Sequence, residues 1–198
     1  MIRVFILIFL LFSFSSFADD LQTLKDWIKK YENSLYVSFQ QITKIKELEE
    51  ETIFNGFLCK YKDLLKIVYE NKETGETQEI LIKNNKAYIY SQADNTLIIT
   101  KVDNSLFIYK LFKEILEKPQ NLEKNFYVIE NENSLEFIPK VNSDFKKFKI
   151  IFSKNNIKKI KSQDKEGNEI IFNIKEIKNC DKEPSLNIRD NTEIIKQY

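Results

Sequence analysis

The stretch LKIVYENKETGETQEILIKNNKAYIY, residues 65–90, decides how the chain folds. Leu65, Ile67 and Tyr69 alternate with more polar neighbours, the period of a strand with one buried face. Asn71 to Thr77, with Gly75 inside, reads as a turn, and Ile80 and Ile82 begin a second strand. Asn84-Asn85 predicts a tight hairpin turn, because Asn tolerates positive φ, and Tyr88 and Tyr90 lie beyond it. These are short antiparallel strands joined by local turns, and the pattern extends both ways along the chain.

Upstream, Val37 and Phe39 alternate with Ser38 and Gln40, and Ile53 to Tyr61 forms another segment. Downstream come Leu97 to Val102, Phe126 to Ile129, Leu135 to Ile138, the Phe148-Ile150-Phe152 alternation, Ile157 to Lys161, and Ile170, Phe172 and Ile174. Asn155-Asn156 and Lys165 to Asn168 supply turns between the last three. The count comes to roughly nine or ten strands. After Ile177 the alternation fades, apart from Leu186-Asn187-Ile188.

Two segments carry a helical period instead. Asp19-Asp20 marks a helix start, and Leu21, Leu24, Trp27, Ile28, Tyr31 and Leu35 recur on one stripe, with an end expected near Asn33. Leu106, Tyr109, Phe112, Ile115 and Leu116 share a second stripe that Pro119 closes. Strands with one apolar face and two amphipathic helices predict a mainly β fold with some α: a strongly curved antiparallel sheet, an open or incomplete β-barrel, covered by helices as a lid. A closed eight-stranded barrel is the near neighbour. Both enclose an apolar space, and the pattern is equally satisfied by a filled core.

The amino terminus reads as an export signal. Arg3 supplies the one charge, Val4 to Phe14 is almost wholly apolar, and Ser16 and Ala18 suit a signal peptidase. Cleavage after Ala18 is expected to leave residues 19–198 as one domain in the periplasm. Without Arg3 the 31 basic residues fall level with the 30 acidic ones, so nucleic-acid binding is not favoured. The run Lys44 to Glu51 is read as a solvated strand edge or loop rather than a metal site.

Chemistry is hard to find. The chain has no His, no GxSxG, no HExxH and no Gly-rich phosphate loop, so no enzyme, cofactor or metal is expected. Cys59 and Cys180 are the two cysteines, and in an oxidising compartment they have the option of one long-range bridge. Sequence alone does not bring their Cα atoms within bonding distance.

Several strings, in order, resemble the LolA family of periplasmic lipoprotein carriers over nearly the whole of residues 19–198. Val37-Ser38-Phe39-Gln40-Gln41 resembles the family's F-x-Q entry into its first strand, and Asn55-Gly56-Phe57-Leu58 its G-x-L strand. Leu65-Lys66-Ile67-Val68-Tyr69 is similar to an apolar-Arg-Trp-x-Tyr segment, and Leu135-Glu136-Phe137-Ile138-Pro139-Lys140 to an L-x-P-K element. The family's Arg-Pro pair is missing, with Lys60, Lys62 and Asp63 nearby, so the lid-latching role of its arginine is not carried over to a named residue.

The resemblance implies a monomeric chaperone that binds lipoprotein acyl chains and moves them from the inner to the outer membrane. Its implied partners are an inner-membrane lipoprotein-releasing transporter and an outer-membrane acceptor. The side chains expected around the acyl chains are Leu24, Trp27, Ile28, Tyr109 and Phe112 from the helices. From the sheet they are Leu65, Ile67, Tyr69, Ile80, Ile82, Tyr88, Phe148, Ile150 and Phe152. The rival readings are a carrier of another lipid, and a periplasmic interaction or assembly module with a filled core.

Overall fold

The computed structural model describes residues 20–102, 122–143, 145–154 and 156–197. The expected signal segment and the expected helix over 106–116 lie outside them. Helix α1 (Asp20–Lys30) leads into a meander of six strands: β1 (Ser34–Ile45), β2 (Glu50–Tyr61), β3 (Leu64–Asn71), β4 (Thr77–Lys83), β5 (Lys86–Ser91) and β6 (Thr96–Lys101). A single turn, α2 (Leu122–Asn125), opens a second meander. This comprises β7 (Phe126–Asn131), β8 (Ser134–Pro139), β9 (Phe145–Ser153), β10 (Asn156–Asp164) and β11 (Glu169–Lys178). A short β12 (Glu193–Lys196) ends the order.

The twelve strands among the described residues form one curved, open sheet in the order β12-β6-β5-β4-β3-β2-β1-β11-β10-β9-β8-β7. The two meanders join where β11 pairs antiparallel with the long β1, Phe39 opposite Ile174 and Gln41 opposite Phe172. Pairing is antiparallel throughout except at β12, which runs parallel to β6.

Asparagine does much of the turning in a chain with three glycines. Asn84 and Asn85 both have positive φ, 50° and 58°, the backbone that a two-residue hairpin between Lys83 and Lys86 requires. Asn95 and Asn133 take the left-handed conformation in the turns before β6 and β8. The expected turn at Asn155-Asn156 falls one residue earlier, since Asn156 already pairs with Ser153 and Lys154 has φ 49°.

Other expectations shift for physical reasons. Helix α1 stops at Lys30 rather than near Asn33, and Leu35 is a fully buried strand residue of β1, not part of the helical stripe. Spacing placed Leu35 on the stripe by coincidence, because both elements aim their apolar residues at the same core. Among the described residues the strands number twelve rather than nine or ten, and β12 in particular has no alternation to betray it: all four of its residues are exposed.

The segment before β12 is a strap across the convex face. Cys180 is joined to Cys59 of β2 by a disulfide, with Cα atoms 5.6 Å apart. Ser34 Oγ donates to the Cys180 carbonyl at 2.9 Å and accepts from its amide at 2.8 Å. Further along, Lys66 of β3 donates to the Ser185 carbonyl at 2.6 Å and pairs with Glu79 of β4 at 2.7 Å. Glu79 in turn accepts from the backbone and side-chain amides of Asn187 at 3.0 and 3.1 Å. The buried Tyr90 hydroxyl accepts from the Arg189 amide and donates to Asn95.

Lys66 and Glu79 side chains are only 7% and 3% exposed, so neither charge is tolerable alone. Burial would raise the Glu79 carboxyl. The hydrogen bonds from Lys66 and Asn187, with the Lys66 charge, outweigh that and hold it below its ordinary value. A depressed carboxylate contributes stability that is full above the ordinary pKa of 4.5 and is lost as pH falls through the lower folded value. Glu79→Gln is therefore expected to lower stability at pH 7 by about 3–5 kcal/mol, leaving Lys66 uncompensated. In urea titrations the gap between wild type and variant should narrow as pH drops below 4.5; a gap unchanged at low pH would contradict the assignment.

Candidate lipid-binding face

The concave face follows from strand register. Leu35, Val37 and Phe39 of β1 lie opposite Lys60, Leu58 and Gly56 of β2, which continue to Leu65, Ile67 and Tyr69 of β3. From there the row runs to Ile82, Ile80 and Gln78 of β4, and to Ala87, Ile89 and Ser91 of β5. On the other side, Phe172 pairs with Ile160, Ile160 with Ile150 and Ile150 with Leu135. One buried cluster takes in most of these apolar positions, with Leu65, Tyr69 and Ile89 packed against it, together with Leu21, Leu24, Trp27 and Ile28 of α1 and Tyr31 just past its end.

Aromatic rings make up much of this surface. Phe39 meets Phe172 edge-on at 5.3 Å and Tyr69 at 6.0 Å. Phe137 stacks on Phe148 at 4.5 Å, and Phe126 meets Phe148 edge-on at 5.4 Å. On the helix, Trp27 lies 5.2 Å from Tyr31. Lys25 of α1 reaches Glu123 of α2 at 2.9 Å, an exposed pair that adds little energy but links the two helical turns.

Two buried polar atoms have no hydrogen-bond partner among the described residues: Trp27 Nε1 and Ser162 Oγ. Each such orphan costs about 1–3 kcal/mol. At one end the apolar face opens into a cleft of about 640 Å³, lined by Phe54 and Tyr69 together with Gln41, Asn71 and Gln78. Among the described residues its charged lining is Glu76 and Asp94, with no Lys or Arg. Burial pushes the Tyr69 hydroxyl up, so this phenol stays neutral.

Of the side chains expected to line the site, Leu24, Trp27, Ile28, Ile67, Ile80, Ile82, Phe148, Ile150 and Phe152 belong to the buried cluster, and Leu65 and Tyr69 pack against it. Tyr88 does not. It pairs with Leu81 and Ile99, one residue out of phase with Ile80, Ile82, Ala87 and Ile89, so it lies on the convex side. Both faces of β5 carry apolar residues, which is why alternation alone mistook its phase. Tyr109 and Phe112 lie outside the described residues. Sequence reading missed Phe39, Leu58, Leu135, Phe137 and Phe172, all at most 2% exposed. The alternation of Val37 with Phe39 and of Ile170 with Phe172 held the signal for two of them.

The profile of the family described as "Outer membrane lipoprotein carrier protein LolA" matches residues 32–186, well over half of the chain. This chain belongs to the LolA family. No curated protein matches it. Among solved structures, an uncharacterized conserved protein from Thermus thermophilus is similar with a TM-score of 0.53 at 11% identity, over 89% of this chain and 98% of that one. A LolA superfamily protein from Nitrosomonas europaea gives 0.45 at 13% identity, over 83% and 93%. The MucA/MucB complex of Pseudomonas aeruginosa gives 0.47 at 10% identity, over 85% of this chain and 59% of that one.

One feature of this LolA-family face depends on a missing side chain. A Cβ at Gly56 would lie 2.4 Å from the Val68 carbonyl oxygen and 3.0 Å from the Phe39 ring. The first of these neighbours is backbone and cannot swing away. Gly56→Ala should cost about 1–3 kcal/mol by overpacking, seen as a lower urea midpoint with an unchanged slope. A neutral substitution would mean that β2 and β3 are farther apart than described.

Proposed function

We propose that this LolA-family chain is a periplasmic carrier that takes up lipoprotein acyl chains beneath α1 and passes them from the inner to the outer membrane without chemistry. In this reading residues 1–18 direct export and 19–198 form one carrier domain. An inner-membrane lipoprotein-releasing transporter supplies the cargo and an outer-membrane acceptor receives it. The observation that carries the reading is the single apolar cluster shared by α1 and the concave face.

A sixteen-carbon acyl chain in water costs on the order of 12 kcal/mol, at about 0.8 kcal/mol per CH₂. A carrier must supply a comparable apolar site and still release. Helix α1 has eleven residues, too few to hold a helix in water, so its order depends on the sheet beneath it. Replacing its contacts with hydrocarbon exchanges one apolar packing for another, which keeps affinity moderate. The orphaned Trp27 Nε1 weakens the closed packing and lowers the cost of the exchange.

The cleft at the end of the face supports an acylated peptide over a phospholipid as cargo. Its amides, Gln41, Asn71 and Gln78, suit ester, amide and peptide groups, whereas Glu76 and Asp94 repel a phosphate that no lysine there offsets.

Trp27 is the chain's one tryptophan and is 7% exposed, so its emission reports directly on α1. Titration with a dipalmitoylated lipopeptide should shift Trp27 emission and displace an apolar dye, with phosphatidylglycerol of equal chain length at least about tenfold weaker. Unchanged emission with no dye displacement would favour the assembly module with a filled core. Equal competition by phosphatidylglycerol would favour a carrier of another lipid.

A further inference from the structure

The convex face has two unlike halves. The strap pinned by Cys180, Ser185 and Asn187 crosses β2 to β4, whereas over β7 to β11 no described segment does so. On this second half the outward positions follow from register. Ile129 of β7 lies opposite Glu136 of β8, Glu136 opposite Lys149 of β9, Lys149 opposite Lys161 of β10, and Lys161 opposite Ile171 of β11. Lys147 and Lys159 flank this row on β9 and β10, in phase with it.

Two features of the row have no structural use. Lys149 and Lys161 are direct cross-strand partners, a like-charge arrangement that destabilises an antiparallel pair. Among the described residues Glu136 pairs with Lys147, at 3.3 Å, and Lys149, Lys159 and Lys161 have no acidic partner. Beside them, the edge strand exposes apolar tips: Tyr127 is 61% exposed and Ile129 44%. Lys140 lies 5.1 Å over the Tyr127 ring.

We propose that this half of the convex face docks on an anionic lipid surface, the lysine ammoniums meeting headgroup phosphates while Tyr127 and Ile129 enter the interfacial layer. The cations are all Lys, point charges on flexible stems that suit a diffuse negative surface, whereas recognition of individual carboxylates on a protein partner favours the planar fork of Arg. Tyrosine with an exposed ring beside lysines is the composition of a membrane interface. Four or five lysines give weak, salt-sensitive binding, which suits a protein that must leave again. The proposal does not depend on the cargo reading, since the face lies on the opposite side of the sheet from the apolar cluster.

The test is flotation of the full chain with vesicles of phosphatidylcholine alone, or with phosphatidylglycerol as about a third of the lipid. Binding is expected on the anionic vesicles only and should fade at high salt. Lys149→Gln with Lys161→Gln should weaken it on the order of 20-fold, at roughly fivefold per lysine. Lys72→Gln with Lys101→Gln removes the same charge from other surface positions and should change it less than about twofold. Thermal melts of both variants check folding, and the apolar-dye assay reads the concave face separately. Absence of anionic-vesicle binding, equal retention on phosphatidylcholine, or equal loss in the two double variants would overturn the proposal. So would binding to polyglutamate in place of vesicles, which would point to an acidic protein.

Discussion

Everything in this structure depends on covering one side of an open sheet. β1 carries Leu35, Val37 and Phe39 to one face, and each neighbouring strand repeats the pattern until the face spans both meanders. The edges, β7 and β12, are not paired to each other, so the sheet does not close on itself to bury that surface. Something laid across it must do so. Among the described residues α1 carries a stripe of four buried apolar side chains for the purpose, and Tyr31 extends it just past the helix end. A closed barrel would have had no such need.

The opposite face solves a different problem. There β3 and β4 place Lys66 and Glu79 outward, and the strap covers them. A buried ion pair is poor value as stabilisation compared with apolar packing. It does dictate position: the Ser185 carbonyl and the Asn187 amides fit those charges in one arrangement. With the Cys59–Cys180 bridge at one end and β12 at the other, the strap is held at three places along the convex face. The strapped face is therefore fixed by directional contacts, whereas α1 is held on the concave face mainly by apolar packing.

How much of this was legible in the sequence depended on the kind of force involved. Strands with one wet and one dry face, such as β9 with Phe148, Ile150 and Phe152 inward, declare themselves by period. So does the Asn84-Asn85 hairpin, where the backbone requirement is local. Tyr88 was misplaced because β5 is apolar on both sides, and only pairing with β4 fixes its phase. Leu35 was given to the helix because helical and strand spacing briefly coincide at a junction. β12 and the ion pair were invisible for a deeper reason. Lys66 and Glu79 look like any surface lysine and glutamate until a segment more than a hundred residues downstream buries them. The strap itself has no period, because it is held by hydrogen bonds and a disulfide rather than by an apolar face.

The two faces also explain how a chain with nearly balanced charge can be strongly polarised. Net charge is a sum over the molecule, but a partner meets one surface at a time. Among the described residues the cleft at the end of the concave face has only acidic charges in its lining, Glu76 and Asp94, whereas the convex half beyond the strap sets Lys149 against Lys161. The two lie on opposite faces and in different halves of one sheet, and alternation sends neighbouring residues of one strand to opposite environments. β9 does this within three residues: Phe148 and Ile150 enter the apolar cluster while Lys149 between them faces out. An apolar face and a lysine-bearing face can therefore be built into one sheet. They need only strands whose odd and even positions answer to different solvents.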